Sequence, residues 1–185
     1  AAAHNNLGVT LSTLDRLEEA EASLRAAIAL ESDLAEAYSN LGNVLKKLGR
    51  LEEAEANSNR AISLKPNHAE FHSNLAALRG YLKRWGEALI SYERATALDP
   101  DMDYLLGSTF FARQQLCEWD RFSQDLEAVT QRISHGERAS APFALHALVD
   151  NPDIHRKCSE LYSEHLVPKS TKLPSINPYP HHKKV

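Results

Sequence analysis

The segment AYSNLGNVLKKLGRLEEAEANSNRAISLKPNHAE, which runs from Ala37 to Glu70, contains a short phrase that returns at a fixed interval. Its Asn40-Leu41-Gly42 follows Asn6-Leu7-Gly8 at a distance of 34 residues and precedes Asn74-Leu75-Ala76 at the same distance. A constant interval of this length predicts one supersecondary unit that is repeated along the chain. The chain then falls into three rows without insertion, which are residues 1–34, 35–68 and 69–102.

Equivalent positions of the three rows carry residues of the same size. Positions 8, 20 and 27 hold only Gly or Ala, whereas positions 7, 17 and 30 hold Leu or Trp. Gly49-Arg50 interrupts row two between two stretches with helical spacing, and Pro66 and Pro100 end the second stretch of their rows. The pattern predicts two closely packed antiparallel helices per row. Because a single hairpin cannot bury its own apolar face, the rows should stack into an all-α solenoid.

Composition and charge argue against several classes of protein. Apolar residues make up 43% of the 185 residues, which is enough for a core, but no apolar run approaches the roughly 18 residues of a membrane span. Residues 1–166 carry 17 Lys+Arg and 25 Asp+Glu, a balance that disfavours nucleic acid as a partner. Cys117 and Cys158 stand in unrelated contexts, which indicates a reducing, cytoplasmic location.

Position 6 carries asparagine in every row, as Asn6, Asn40 and Asn74. This position lies on the first helix of each row, on the face that should line a concave groove, and the neighbouring Leu7, Leu41 and Leu75 should point into the core. A side-chain amide both donates and accepts hydrogen bonds, so a column of amides can hold the backbone of an extended peptide. These three residues are therefore the predicted peptide-binding site. The alternative is that each asparagine bonds a neighbouring helix and only stabilises the stack.

After Asp101 the sequence period lapses, and residues 103–166 are predicted to form a helical cap. Helices are expected over Tyr104–Leu116 and Cys117–Ile133, from Pro142, and from Pro152 onward. Within the cap, Trp119 is expected to anchor the helices onto the last repeat, and Cys117 is expected to be a small core residue. Residues 167–185 contain several prolines, four lysines and no acidic residue, which predicts an extended, basic linker.

Two resemblances follow from these residues. Residues 1–102 resemble the tetratricopeptide repeat, which implies a superhelical scaffold that binds a protein or peptide partner. The asparagine column resembles that of the O-linked N-acetylglucosamine transferases. Cys117-Glu118-Trp119-Asp120, Pro142-Phe143 and the Pro-rich tail resemble the zone between repeats and catalytic domain in such proteins, notably bacterial ones. This second resemblance implies a substrate-recruiting region whose glycosyltransferase domain lies beyond Val185. The alternative is a free-standing adaptor.

The sequence contains no recognisable catalytic motif. A Gly-rich phosphate loop, a nucleophile elbow and a metalloprotease motif are all lacking from it, so we expect no catalytic, cofactor-binding or metal-binding residues. A clamp for a terminal carboxylate, as in chaperone-binding repeats, is disfavoured because Glu70 would repel the ligand. Lys46 and Lys47 are interpreted as ordinary solvated surface.

Overall fold

The computed structural model describes residues 1–146 and 149–166, and the regular secondary structure within these ranges is entirely α-helical. The helices of the three rows are α1 (Ala2–Thr13), α2 (Leu17–Leu30), α3 (Ala35–Lys47), α4 (Leu51–Leu64), α5 (Ala69–Tyr81) and α6 (Trp85–Leu98). The helices that follow are α7 (Leu105–Gln115), α8 (Phe122–Ser134), α9 (Pro142–His146) and α10 (Pro152–Leu166). None of these helices is long and apolar enough to cross a membrane. The predicted linker, 167–185, lies outside the described residues.

The three rows form three helical hairpins in the same register. The second helix of each row runs from position 17 to position 30, and the first helix ends at position 13 in each case. Within a row the two helices pack against each other, and α2, α4 and α6 then pack against the first helix that follows them. The all-α solenoid predicted from the 34-residue period is therefore confirmed.

Small residues at the predicted positions allow the helices of a hairpin to approach closely. A Cβ added at Gly42 would lie 2.8 Å from Ser58 Oγ and 3.1 Å from the carbonyl oxygen of Ala54. Ala54 and Ala61, which face the same contact region from α4, have no exposed surface. A side chain at Gly42 would thus require α3 and α4 to move apart.

The turn between the helices of a row always places position 15 in the left-handed region. The residues there are Asp15 (φ 59°), Gly49 (φ 77°) and Lys83 (φ 59°). Cys117, at the equivalent position of a fourth row, has φ 58°. In all four turns the amide of position 16 donates to the carbonyl of position 11, for example Arg50 to Leu45 at 2.9 Å and Glu118 to Arg113 at 3.0 Å. The backbone period therefore outlasts the sequence period by one helix, α7, and its turn.

The large residue at position 7 is buried only where another row precedes it. Leu41 and Leu75 are 1% and 4% exposed, whereas Leu7 is 49% exposed. Ala3 and Thr10 on the same face of α1, and Leu14 directly after the helix, are exposed too. The prediction that all three leucines point into the core is therefore wrong for Leu7, because no described helix covers this face of row one.

Arginine and glutamate side chains connect successive rows. Arg50, at position 16, binds Glu21 of the preceding row at 2.8 Å and Glu53 of its own row at 2.7 Å. Arg84 repeats the pattern, with Glu55 at 2.7 Å and Glu87 at 2.5 Å. Row three carries Leu89 in place of the position-21 glutamate, and this leucine is buried in the cluster that includes Leu105 of α7. The ionic connection thus gives way to apolar packing where the cap begins.

The cap has its own core, and it corrects three expectations. Phe110, Val129, Ile133, Leu145 and Cys158 form a buried cluster shared by α7, α8, α9 and α10. The helix expected from Cys117 begins only at Phe122, because Cys117 closes the turn after α7. For the same reason Cys117 is exposed rather than part of the core. Trp119 is 55% exposed and packs on Phe122, within the cap and not on the last repeat.

The contrast between Leu41 and Leu7 gives a test with a built-in control. Leu41→Ala should lower the free energy of unfolding by about 3 kcal/mol, because it leaves a cavity between two rows. Leu7→Ala, the same change on the uncovered face, should cost less than about 1 kcal/mol. Urea denaturation followed by circular dichroism measures both. An equal loss would show that another surface covers Leu7 in solution.

The connection at Glu55 makes stability depend on pH in a defined direction. The hydrogen bond from Arg84 lowers the pKa of the Glu55 carboxyl, and that from Arg79 adds to this effect against burial. The stabilisation that the Glu55 carboxylate provides is therefore complete above the ordinary glutamate pKa of about 4.3. It is lost as pH falls through the lower pKa that Glu55 has in the folded protein.

Glu55→Gln should accordingly destabilise the protein at neutral pH by up to about 1 kcal/mol, and the difference should vanish in strong acid. Thermal melts from neutral to acidic pH measure this dependence. Glu52→Gln is the control, since Glu52 is exposed and has no ion pair among the described residues. A loss at Glu55 that persisted unchanged in acid would contradict the assignment.

Candidate functional site

The first helices of successive rows line an open groove that contains two cavities. The lysine cavity, between α1 and α3, has a volume of about 280 Å³. The aromatic cavity, between α5 and α7, has a volume of about 300 Å³. The lysine cavity is lined by Asn40, Asn43, Lys46 and Lys47 together with residues of α1 and with Leu24 and Val44. The aromatic cavity is lined by Tyr81, Trp85, Tyr92 and Phe111 together with small residues.

The predicted asparagines form a column in which Asn40 and Asn74 each contact the preceding row. Asn40 Nδ2 donates to Asn5 Oδ1 at 2.9 Å, and Asn74 Nδ2 donates to Ser39 Oγ at 3.1 Å. Both bonds run from position 6 of one row to position 5 of the row before. Asn6, in the first row, is exposed and accepts from Asn5 Nδ2 at 3.4 Å. The alternative that these amides join neighbouring helices therefore has a direct structural basis.

The bond to the preceding row uses only part of each amide. A side-chain amide has two N–H donors and one carbonyl oxygen that can accept. Asn40 and Asn74 are half-buried, and each donates one N–H to the preceding row. Within the described part of the chain, nothing else bonds to the remaining N–H or to the carbonyl oxygen. The column is thus oriented by the stack and keeps free hydrogen-bonding groups.

The two lysines of the groove differ in their surroundings. Lys47 is exposed, and its ammonium donates to the backbone oxygen of Ser12 at 3.0 Å. Lys46 is half-buried in the lysine cavity, and burial, reinforced by the charge of Lys47, lowers its pKa. Among the described residues neither lysine has a carboxylate partner. The interpretation as solvated surface therefore fails for Lys46.

Aromatic side chains surround the second cavity. Trp85 makes an edge-to-face contact with Phe111 at a centroid distance of 5.6 Å, and Tyr81 is 66% exposed. A Cβ at Gly80 would lie 2.9 Å from the Trp85 ring, so the indole rests directly on α5. Trp85 packs against the core, as its position predicts, and also forms a wall of the groove.

Asn43, Tyr81 and Phe111 were not among the residues predicted from sequence. Asn43 and Phe111 share position 9, which also carries Val9 and Ala77, and each of the four lines one of the two cavities. The signal was present in the sequence, because the same 34-residue spacing leads from Ala77 to Phe111. This spacing was overlooked because most other positions after Asp101 no longer match the repeat.

The histidines that are one helical turn apart at the start of α5 are used structurally. The ring of His68 stacks on Phe71 at 4.1 Å, and His72 Nε2 lies 2.8 Å from the carbonyl oxygen of Pro66. Across residues 1–146 and 149–166, His, Cys, Asp and Glu side chains form no cluster of three or more that could hold a metal ion. The groups that line the two cavities of the groove are amides, ammonium groups and aromatic rings, which can bind a ligand by hydrogen bonds, charge and apolar contact.

Comparison with known proteins identifies the repeat. A family model described as "Tetratricopeptide repeat" matches residues 33–101, and one described as "TPR repeat" matches residues 14–49. None of the curated proteins has a sequence that matches this chain.

Two solved structures share the fold at low sequence identity. The first TPR of Spaghetti (RPAP3), bound to the HSP90 peptide SRMEEVD, has a TM-score of 0.60 and 20% identity, covering 63% of this chain and 92% of that one. MamA of AMB-1 has a TM-score of 0.56 and 16% identity, covering 67% of this chain and 68% of that one. The two family models together match residues 14–101, and the two solved structures share the fold of the helical hairpins described there.

Proposed function

We propose that this chain is a non-catalytic scaffold that binds an extended segment of a partner protein in the groove. The observation that carries the proposal is the column of half-buried amides at Asn40 and Asn74, each oriented by one hydrogen bond and each keeping a free N–H and carbonyl oxygen. An extended peptide repeats its own N–H and C=O groups at regular intervals. The amides can therefore hold its backbone whatever its side chains are.

The dimensions of the repeat suit such a ligand. Packed helices lie about 8–10 Å apart, and an extended chain advances about 3.3 Å per residue. One row of the groove thus corresponds to about three residues of peptide. A ligand that follows α1, α3 and α5 would meet the amides of Asn6, Asn40 and Asn74 in turn. The fold supports the proposal at a coarser level, because the similar first TPR of Spaghetti holds a peptide.

We further propose that the groove recruits protein substrates for an O-linked N-acetylglucosamine transferase-like enzyme. Support comes from the resemblance of the asparagine column and of the Cys117–Asp120 segment to that family. The catalytic residues would then lie beyond Val185, in a separate domain. The alternative is an adaptor that assembles a protein complex and carries no enzyme.

Sequencing the source coding region beyond Val185 separates these two roles. An open frame that continues into alternating strands and helices would support the transferase, and the longer protein should then transfer sugar to its bound partner. A stop codon at that point would overturn the transferase role and leave the adaptor, whose partner can be isolated by pull-down.

Replacing Asn40 and Asn74 with alanine tests peptide binding itself. We expect the double variant to lose at least tenfold in affinity for peptides selected from a random display library, because it removes the groups that face the ligand. It should also lose about 1 kcal/mol of stability for each inter-row hydrogen bond. Calorimetric titration and thermal melts measure the two effects.

Ser39→Ala is the matched control for Asn74. It removes the same inter-row hydrogen bond but leaves the amide in the groove, so it should lower stability without an equal loss of affinity. If the asparagine variants lose only stability and bind peptide as before, the amides are purely structural and the proposed site is wrong.

A further inference from the structure

We infer that the groove selects an extended peptide with an acidic side chain and a large apolar side chain about six residues apart. The acidic group would occupy the lysine cavity, and the apolar group would occupy the aromatic cavity. This inference rests on the proposed function and adds to it a preference for particular side chains. It follows from the contents of the two cavities and from the distance between them.

No carboxylate of the described chain pairs with Lys46 in the lysine cavity. Burying a charge is unfavourable unless a partner compensates it. The arginines between the rows satisfy this rule, since Arg50, Arg79 and Arg84 are each bound by at least one carboxylate. Lys46 is half-buried and has no such partner in the described chain, and Lys47 adds a second positive charge beside it. A carboxylate supplied by the ligand would complete the site.

The amides of the lysine cavity suit the same group. Asn40 and Asn43 both line it and are both half-buried. The N–H groups of Asn43, which bond to no other group in the described chain, can donate to carboxylate oxygens while the ammonium of Lys46 supplies the charge, and Asn40 keeps its free groups for the peptide backbone. The acidic balance of residues 1–166 makes this local concentration of positive charge distinctive on the surface. The complementarity therefore favours an acidic peptide over a neutral or basic one.

The aromatic cavity has the opposite character. Its walls are Tyr81, Trp85 and Phe111, and a volume of about 300 Å³ is enough for one large side chain. Exposed aromatic groups around a pocket commonly contribute most of the affinity of an interface, because they bury large areas with little loss of conformational entropy. A phenylalanine, leucine or tryptophan of the peptide would fill this space and cover the exposed Tyr81 ring.

The spacing of the cavities follows from the register of the rows. The lysine cavity lies between the first helices of rows one and two, and the aromatic cavity lies between α5 and α7, two steps further along. Two steps of about 10 Å correspond to about six residues of extended peptide. Asn74, on α5, lies in the interval and would hold the backbone between the two anchored side chains.

A panel of synthetic peptides tests this inference. Each fluorescein-labelled peptide is unstructured and carries one Glu and one Phe at a defined separation, and fluorescence anisotropy with the unmodified protein gives its affinity. Affinity should be highest near a separation of six and should fall at least tenfold when Glu becomes Gln or Phe becomes Ala. The contribution of Glu should weaken at high salt, as for any partly exposed ion pair.

Variants of the protein assign each preference to its cavity. Lys46→Met should abolish the preference for Glu and keep that for Phe. Ala77→Trp, which fills the aromatic cavity, should abolish the preference for Phe and keep that for Glu. Tyr81→Ala, at an exposed residue, should weaken the preference for Phe without unfolding the protein. Lys157→Met on α10 is the control, since Lys157 is exposed and lies outside both cavities.

The outcomes separate this inference from the proposed function. If peptides bind equally whether or not they carry Glu and Phe, and the variant at Asn40 and Asn74 weakens all of them, the groove binds backbone alone and the inference is wrong. If none of the peptides binds, the inference and the proposed function both fail. A preference that survives both Lys46→Met and Ala77→Trp would place the selective contacts elsewhere and overturn the inference.

Discussion

The structure depends on the fact that one helical hairpin leaves an apolar face uncovered. Leu41 and Leu45 are at most 1% exposed, because α3 lies between α4 of its own row and the helices of row one. Each row must therefore adopt the register of its neighbour, and a residue type that recurs every 34 positions forms a column along the stack. The groove is a consequence of this packing, since its amides and cavities are aligned by the same contacts that bury the leucines.

Two polar connections reinforce this register from different sides of the stack. The asparagines join the first helices of adjacent rows, and the Arg–Glu pairs join position 16 of one row to position 21 of the row before. Both connections end at the same place in the chain. Row three has Leu89 instead of the glutamate, and Ser108, at position 6 of the fourth row, donates to the carbonyl of Tyr104, directly before its own helix. Apolar packing of α7 replaces them, and the aromatic cavity lies at this place, between α5 and α7.

Sequence alone was sufficient for features that depend on contacts repeated in every row, such as the hairpins, their small residues and the position of the asparagines. It was insufficient for residues whose surroundings are not repeated in the other rows. Cys117 is exposed because a backbone hydrogen bond, common to four turns with different side chains, places position 15 in the left-handed region. The exposure of Trp119 and its contact with Phe122 depend on how the helices of the cap pack against one another. The burial of Lys46 depends on the gap between α1 and α3, which no residue pattern encodes.

The two interpretations of the asparagines are compatible, and their combination has a consequence for specificity. An amide that is fixed by its neighbour loses little conformational freedom when a ligand binds, so the stacking bond prepares the binding group. In the proposed function the same amide recognises backbone and tolerates many side chains. Selectivity must then come from residues that do not hold the rows together, and Lys46 and Tyr81 meet this condition because they form no inter-row ion pair or hydrogen bond in the described structure. If the groove binds peptides as proposed, substitutions in the cavities change which peptides bind while the stack itself stays intact.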